Sequence, residues 1–222
     1  MMKIKIVKNG PYLVMGNVPL EELIIQKGKN GYYYKKGKTF KHEETYALCR
    51  CGKTKTPPFC DGSHVKEQFD GTLTASKELI SKYAKKHIGN NLILEDTESL
   101  CAFARFCHTN DSDAWNLTKS ADDNEEEGLA IKVVTDCPAG RLVIKDRERA
   151  RAIEPSYEPS IAILQDPDER CSGPIWVKGG IPIEDDNGDI YEIRNRVTLC
   201  RCGYSQNKPF CDAEHIRNNY ND

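Results

Sequence analysis

Apolar and polar residues alternate through residues 3–7, and a second apolar run occupies residues 12–18 beyond Asn9-Gly10-Pro11. Period-two alternation broken by a turn cluster predicts a strand, a turn and a second strand. Further strands are predicted at Tyr32–Tyr34, at Tyr46–Leu48 running into Cys49, at Leu129–Val134 with Arg141–Ile144 as its hairpin partner, and at Ile161–Leu164. A different period governs Ser76–His87, where residues 79, 80, 83 and 84 are apolar and Gly89 follows. That spacing predicts an amphipathic connector helix with a glycine stop. Asp96-Thr97-Glu98 predicts the cap of a second helix carrying Cys101 to Cys107. The acidic run Asp122–Glu127 reads as a solvated loop. Asp185–Asp189 reads as a hairpin turn, because position twelve of a calcium loop would be Arg196 where glutamate is needed.

Part of this pattern occurs twice. Gly10-Pro11-Tyr12-Leu13-Val14 through Pro19-Leu20 has a counterpart in Gly173-Pro174-Ile175-Trp176-Val177 through Pro182-Ile183. With 12 extra residues allowed in the first copy, Leu48-Cys49-Arg50-Cys51-Gly52 falls on Leu199-Cys200-Arg201-Cys202-Gly203. Two homologous β-modules, one at each end of the chain, are therefore expected.

Composition narrows the function classes. The 222 residues are 38% hydrophobic and 30% charged with a net charge of -2, and no apolar run approaches the length of a bilayer span. Neither a nucleic-acid nor a membrane partner is expected. The N-terminus lacks the apolar core of a secretory signal, so a cytoplasmic location is expected. In that reducing compartment ten cysteines point to metal ligation more than to disulfides.

Cys49, Cys51, Cys60 and His64 form Cys-x-Cys followed by Cys-x-x-x-His, and Cys200, Cys202, Cys211 and His215 repeat the spacing. Two thiolates in the first pair can grip one metal, and the second pair sets a thiolate and an imidazole one helical turn apart. Pro58 and Pro209 precede the third cysteine, and Asp61 and Asp212 follow it, where a carboxylate can cap a short helix. Ligand type alone leaves a structural Cys3His zinc site open.

The stretch Cys49-x-Cys51-x-x-Thr54-x-x-x-Pro58-x-Cys60-Asp61-Gly62-Ser63-His64 resembles the signature of the CDGSH-type (NEET) iron–sulfur proteins at every defining position. The second copy matches with Ala213-Glu214 in place of Gly-Ser. The resemblance implies a [2Fe-2S] cluster in each copy, with Cys49 and Cys51 on one iron and Cys60 and His64 on the other. Cys200, Cys202, Cys211 and His215 would repeat this. An imidazole ligand in place of a thiolate raises the potential, and acid competes with iron for it. Both histidines are therefore expected to be acid-labile points.

A third constellation lies between the copies. Cys101-Ala102-Phe103-Ala104-Arg105-Phe106-Cys107 and the later Cys137-Pro138-Ala139-Gly140-Arg141-Leu142 are similar to the divergent mono-cluster ferredoxins. Ala104 stands where that family has a further ligand. Cys101, Cys107 and Cys137 thus suit a [3Fe-4S] cluster. The competing assignment is [4Fe-4S] with His108, Cys171 or an exogenous fourth ligand. Free cysteines are also common as small buried hydrophobes, and Cys171, outside any motif, is expected to be unliganded. His42 and His87 read as surface residues, Trp115 and Trp176 as core or interface aromatics.

The whole order is similar to longer bacterial CDGSH-domain proteins. It implies a β-rich α+β fold in which two NEET-like modules pair as an internal pseudo-dimer around a ferredoxin-like segment, the protein remaining monomeric. The expected divisions are residues 1–70, a helical connector 71–95, a mono-cluster domain 96–165 and a second module 166–222. No phosphate loop, nucleophile–base pair or nicotinamide fingerprint is present. The expected role is electron transfer with an unidentified redox partner and no enzymatic activity. Cluster storage or transfer to an acceptor is the alternative, and a zinc-stabilised interaction module a third.

Overall fold

In the computed structural model, which describes residues 1–222, the chain begins with β1 (Lys3–Ile6), β2 (Tyr12–Met15), β3 (Leu20–Gly28), β4 (Gly31–Thr39), β5 (Thr45–Leu48) and α1 (Ser63–Lys66). Ile4, Ile6, Tyr12 and Val14 are fully buried while their neighbours along the strands are not, as a one-faced strand requires. Next come β6 (Lys85–Ile88), β7 (Leu92–Asp96), α2 (Ala114–Ser120), α3 (Asn124–Thr135), β8 (Leu142–Asp146) and β9 (Ala152–Ile153). The last part holds β10 (Ser160–Asp166), β11 (Cys171–Lys178), β12 (Ile183–Glu184), β13 (Arg196–Leu199) and α4 (Glu214–Arg217). The fold is β-rich α+β, as expected. No helix is long and apolar enough to cross a membrane.

The terminal parts exchange strands. One sheet runs β12-β1-β2-β5 and another β13-β11-β10-β3-β4. Ile4 lies opposite Ile183 and Leu20 opposite Ile161, both in parallel pairing, so each sheet combines strands from both ends of the chain. The registers repeat as well: Tyr12 faces Leu48 and Val14 faces Tyr46 in one, Ile175 faces Leu199 and Val177 faces Val197 in the other. Ile4, Val14, Leu48, Ile161, Val177 and Leu199 share one apolar core. Each such side chain contributes about 1.5–3 kcal/mol by leaving water, so this common core ties the ends together.

The middle of the chain departs from the pattern-based expectations. Residues 76–87 hold no α-helix; a single 3₁₀ turn at Ile80–Lys82 precedes β6, which pairs with β7 across a Gly89–Asn91 turn. Ile80 packs at the margin of the main core, and Leu79 and Tyr83 stay exposed. Residues 98–107 form a 3₁₀ turn at Glu98–Leu100 and then a loop, not a helix. The acidic run is the start of α3: Asp123 accepts from the Glu125 and Glu126 N–H groups, and three glutamates occupy the first turn, where the helix dipole favours negative charge. Residues 129–134, expected as a strand, are therefore helical. Ala130, Val133 and Val134 are buried at helical spacing against Leu94, Leu142 and Ile144. β8 pairs with β7 and β9, making the third sheet, β6-β7-β8-β9. That sheet begins inside the span expected to be a helical connector, and β10, expected in the middle domain, joins β3.

Candidate metal centres

The strand β5 delivers Cys49 at its end, and the chain returns alongside it: the Cys49 N–H donates to Pro58 O and the Cys60 N–H to Ala47 O, each at 2.9 Å. Asp61 accepts the Lys55 N–H at 2.8 Å and the Ser63 N–H at 2.9 Å, which hold its carboxyl well below the usual range. Gly62, left-handed at φ 86°, then starts α1. The outcome is two donor pairs, Cys49 Sγ and Cys51 Sγ 3.7 Å apart, and Cys60 Sγ and His64 Nδ1 3.4 Å apart. The second copy repeats it, with 3.6 Å between the Cys200 and Cys202 sulfurs and 3.4 Å between Cys211 Sγ and His215 Nδ1. Thr54 Oγ1 donates to Phe59 O at 2.6 Å and Ser205 Oγ to Phe210 O at 2.7 Å, bracing each loop identically.

The arginine between the paired cysteines was passed over in the sequence, although it recurs in both copies. Arg50 is 2% exposed and donates to the carbonyls of Gly10, Gly71 and Val7; Arg201, equally buried, donates to Gly173 and Leu164 and pairs with Asp222. Each guanidinium closes the loop behind its cysteines.

Both donor sets fit tetrahedral metal. Bonds of about 2.3 Å at tetrahedral angles put two sulfurs about 3.8 Å apart. Without a cation, each Cys-x-Cys pair releases its first proton readily, since the remaining S–H hydrogen-bonds the thiolate. It resists losing the second, because two buried negative charges would face each other. A metal cation between the sulfurs relieves that repulsion.

Cys101, Cys107 and Cys137 come together in the middle segment around a small cavity also lined by Ala104, Phe106 and Leu142. Burial first, then the neighbouring Cys137 and Cys101, push the Cys107 thiol up to about 12. Phe103 and Arg105 take positive φ values of 54° and 64°. Left-handed residues are a component of the backbone nests that bind anions. Arg141 forks onto Asp96 at 2.6 and 2.9 Å and lies beside Cys101. His108 is exposed with Nδ1 3.1 Å from Cys107 Sγ. Cys171 lies on β11 beside Asp166 and Glu169, away from the three, and all ten cysteines are free.

The profile of the family described as "Iron-binding zinc finger CDGSH type" matches residues 9–65 and 172–216. That described as "Divergent 4Fe-4S mono-cluster" matches residues 88–147, between them. The chain carries two CDGSH-type iron-binding domains. Comparison with curated proteins and with solved structures returned no match.

The two CDGSH sites are not equivalent. Cys60 and His64 are half-buried, whereas Cys211 and His215 are each 3% exposed. The cause is the middle segment, whose Ala102 and Ala139 pack on Cys211. Burial, with Arg201 adding to it, lowers His215 to about 4. The two histidines, both expected to be acid-labile points, therefore differ in burial. The other departure, Ala213 for Gly62, puts a Cβ at φ 69°. A left-handed alanine costs about 1–2 kcal/mol, offset in part by glycine's larger unfolded-state entropy. Ala213→Gly is expected to stabilise the protein by about 1 kcal/mol, read as a shift of the urea midpoint with unchanged slope.

Proposed function

We propose that the protein is a one-electron carrier with two Cys3His [2Fe-2S] clusters and one three-cysteine cluster, and that it is not an enzyme. The observation that carries this is the adjacency of the three donor sets. The Cys51-Gly52 and Cys202-Gly203 turns press together: a Cβ built on Gly203 would lie 2.6 Å from Cys51 O, and one on Gly52 would strike Cys202 O. Cys211 in turn packs on the loop of Cys101 and Cys137. The C-terminal site is therefore flanked by both others.

Dinuclear clusters are favoured over a single zinc ion, which would draw four donors together, because the donors stand as two pairs, Cys49 with Cys51 and Cys60 with His64, repeated in the second copy. The paired geometry instead suits one metal for each pair. Bound iron–sulfur clusters would supply reversible one-electron storage, and backbone N–H groups of Gly52, Thr54, Gly203 and Ser205 directed at Cys49 and Cys200 would tune it. Strand exchange with repeated register supports an internal pseudo-dimer and a monomeric protein. Ten free thiols suit a reducing cytoplasm.

In the middle, three thiols and Ala104 favour [3Fe-4S]. The matched family's description and the position of His108 beside Cys107 favour the [4Fe-4S] alternative. The test is an anaerobic preparation analysed for iron, acid-labile sulfide and zinc, with electron paramagnetic resonance before and after reduction. Iron with equivalent sulfide, reversible reduction without iron loss and a paramagnetic oxidised state are expected. Stoichiometric zinc without sulfide would exclude the carrier role; a silent oxidised state would assign four irons to the middle. Transfer of iron to an apo-acceptor faster than electron exchange would favour the storage alternative.

A further inference from the structure

Beyond Leu20, which joins the shared core, the β3–β4 hairpin contributes no residue to the terminal metal centres. It accounts for the extra residues of the first copy; at the corresponding place the second copy has only β12 and the Asp185–Asp189 turn. Residues 27–41 contain Lys27, Lys29, Lys35, Lys36, Lys38 and Lys41 and no acidic residue, in a chain of net charge -2. All six are exposed. Lys36 and Lys38 have carboxylates of Glu21 and Glu22 at 3.7 and 3.8 Å, while Lys27, Lys29, Lys35 and Lys41 make no ion pair.

The hairpin is seated on the middle site. Tyr34 stacks on Phe106 at 4.3 Å and on Trp176 at 4.8 Å, and its hydroxyl donates to Asp136 O, next to Cys137. Arg105 lies 4.5 Å over the Tyr32 ring, and Asn110 Nδ2 donates to Lys29 O. Phe103, 42% exposed, marks where the three-cysteine loop reaches the surface. β4 is the outer strand of its sheet, and lysines on an outer strand discourage aggregation. That role covers Lys35, Lys36 and Lys38, but not Lys27, Lys29 and Lys41 outside the strand.

We infer that this hairpin is the docking surface for an acidic one-electron carrier protein that exchanges electrons at the Cys101–Cys107–Cys137 site. The inference rests on the electron-carrier role proposed above. Charge complementarity of this kind governs encounter rate and orientation, and a small, salt-sensitive interface suits a transient redox encounter. A second copy of the chain is the competing occupant: its Glu184–Glu192 region is engaged by Lys3, Lys5 and Lys77, but its exposed Asp122–Glu126 run makes no ion pair, so self-association is one outcome the test must read.

The probe is an acidic flavodoxin, with binding followed by flavin fluorescence anisotropy on the intact protein at low and high salt. In the reduced state, flavin hydroquinone passes one electron to the protein's iron and becomes semiquinone. Lys27→Glu/Lys29→Glu/Lys35→Glu, which breaks no ion pair, is expected to weaken binding and slow the flavodoxin-dependent absorbance change by at least about tenfold. Lys8→Glu/Lys82→Glu, at two exposed lysines outside the hairpin and the metal centres, is expected to leave both unchanged. Equal binding by the triple variant, no binding at low salt, or a dimer at low salt would overturn the proposal. So would tighter, lysine-dependent binding of single-stranded RNA or anionic vesicles. Dithionite tests the carrier role separately: reversible reduction sustains it even if flavodoxin does not dock, and iron loss on reduction removes it even if flavodoxin does.

Discussion

Replacing Arg196 by methionine is expected to destabilise the protein by about 3–5 kcal/mol, the usual cost of breaking a buried ion pair from one side. Arg196 opens β13, is 1% exposed, and forks onto Glu154 at 2.8 and 2.6 Å. Its remaining N–H groups donate to Val134 O, Thr135 O and Cys137 O, the C-terminal carbonyls of α3 and the cysteine beyond it, and to Leu142 O. Methionine fills similar volume but takes the guanidinium donors away from four carbonyls and from the Glu154 carboxylate, which keeps only the Asn195 amide. In a chain of this size the loss corresponds to a fall in Tm of roughly 10 °C. Because the same residue links the strand entering Cys200 to the loop of Cys137, iron content of the middle site should fall with it. Arg196→Lys retains the charge without the fork and should lie between. A melt within 2 °C of the parent for Arg196→Met, in roughly that margin of error, would show that the guanidinium is dispensable.

The second large effect is the order in which acid empties the CDGSH sites. His64 is only half-buried, whereas His215 is enclosed, and burial lowers its pKa to about 4. Visible absorbance should therefore bleach in two steps as pH falls, the N-terminal site first. His64→Cys should abolish the first step and lower that site's potential, leaving the second step in place. The linkage has a definite sign. His215 titrates lower in the fold than the ordinary imidazole near 6.5, so the unfolded chain binds the proton first. The contribution of neutral His215, on the order of 3 kcal/mol, is complete above about pH 6.5 and is lost as pH falls toward 4. Simultaneous bleaching of both sites, unchanged in His64→Cys, would refute the difference in exposure as the cause.

The terminal sites were legible in the sequence because their information is local. Cys49 to His64 is one loop and one turn, and its copy at Cys200 to His215 made the spacing hard to mistake. The strands Lys3–Ile6, Tyr12–Met15 and Thr45–Leu48 also followed from alternation and turns. Where the pattern misled, distant packing prevailed. Lys85–Ile88 is a strand because β7 lies beside it, although residues 79–84 carry helical spacing. Leu129–Val134 reads as a strand in isolation, but Asp123 and three glutamates begin a helix that runs through it. The parallel pairing of Ile4 with Ile183 leaves no mark on either segment alone, and neither does the cover that Ala102 and Ala139 lay over Cys211.

Because Ile4 pairs with Ile183 and Leu20 with Ile161, neither terminal sheet can close on a nascent chain until residues beyond 160 have left the ribosome. The amino-terminal cysteines must wait, thiols reduced, through most of translation. Truncation at any point in the middle would yield fragments with raw strand edges instead of two smaller working proteins. Metal loading of the finished fold is correspondingly expected after the C-terminal strands are made.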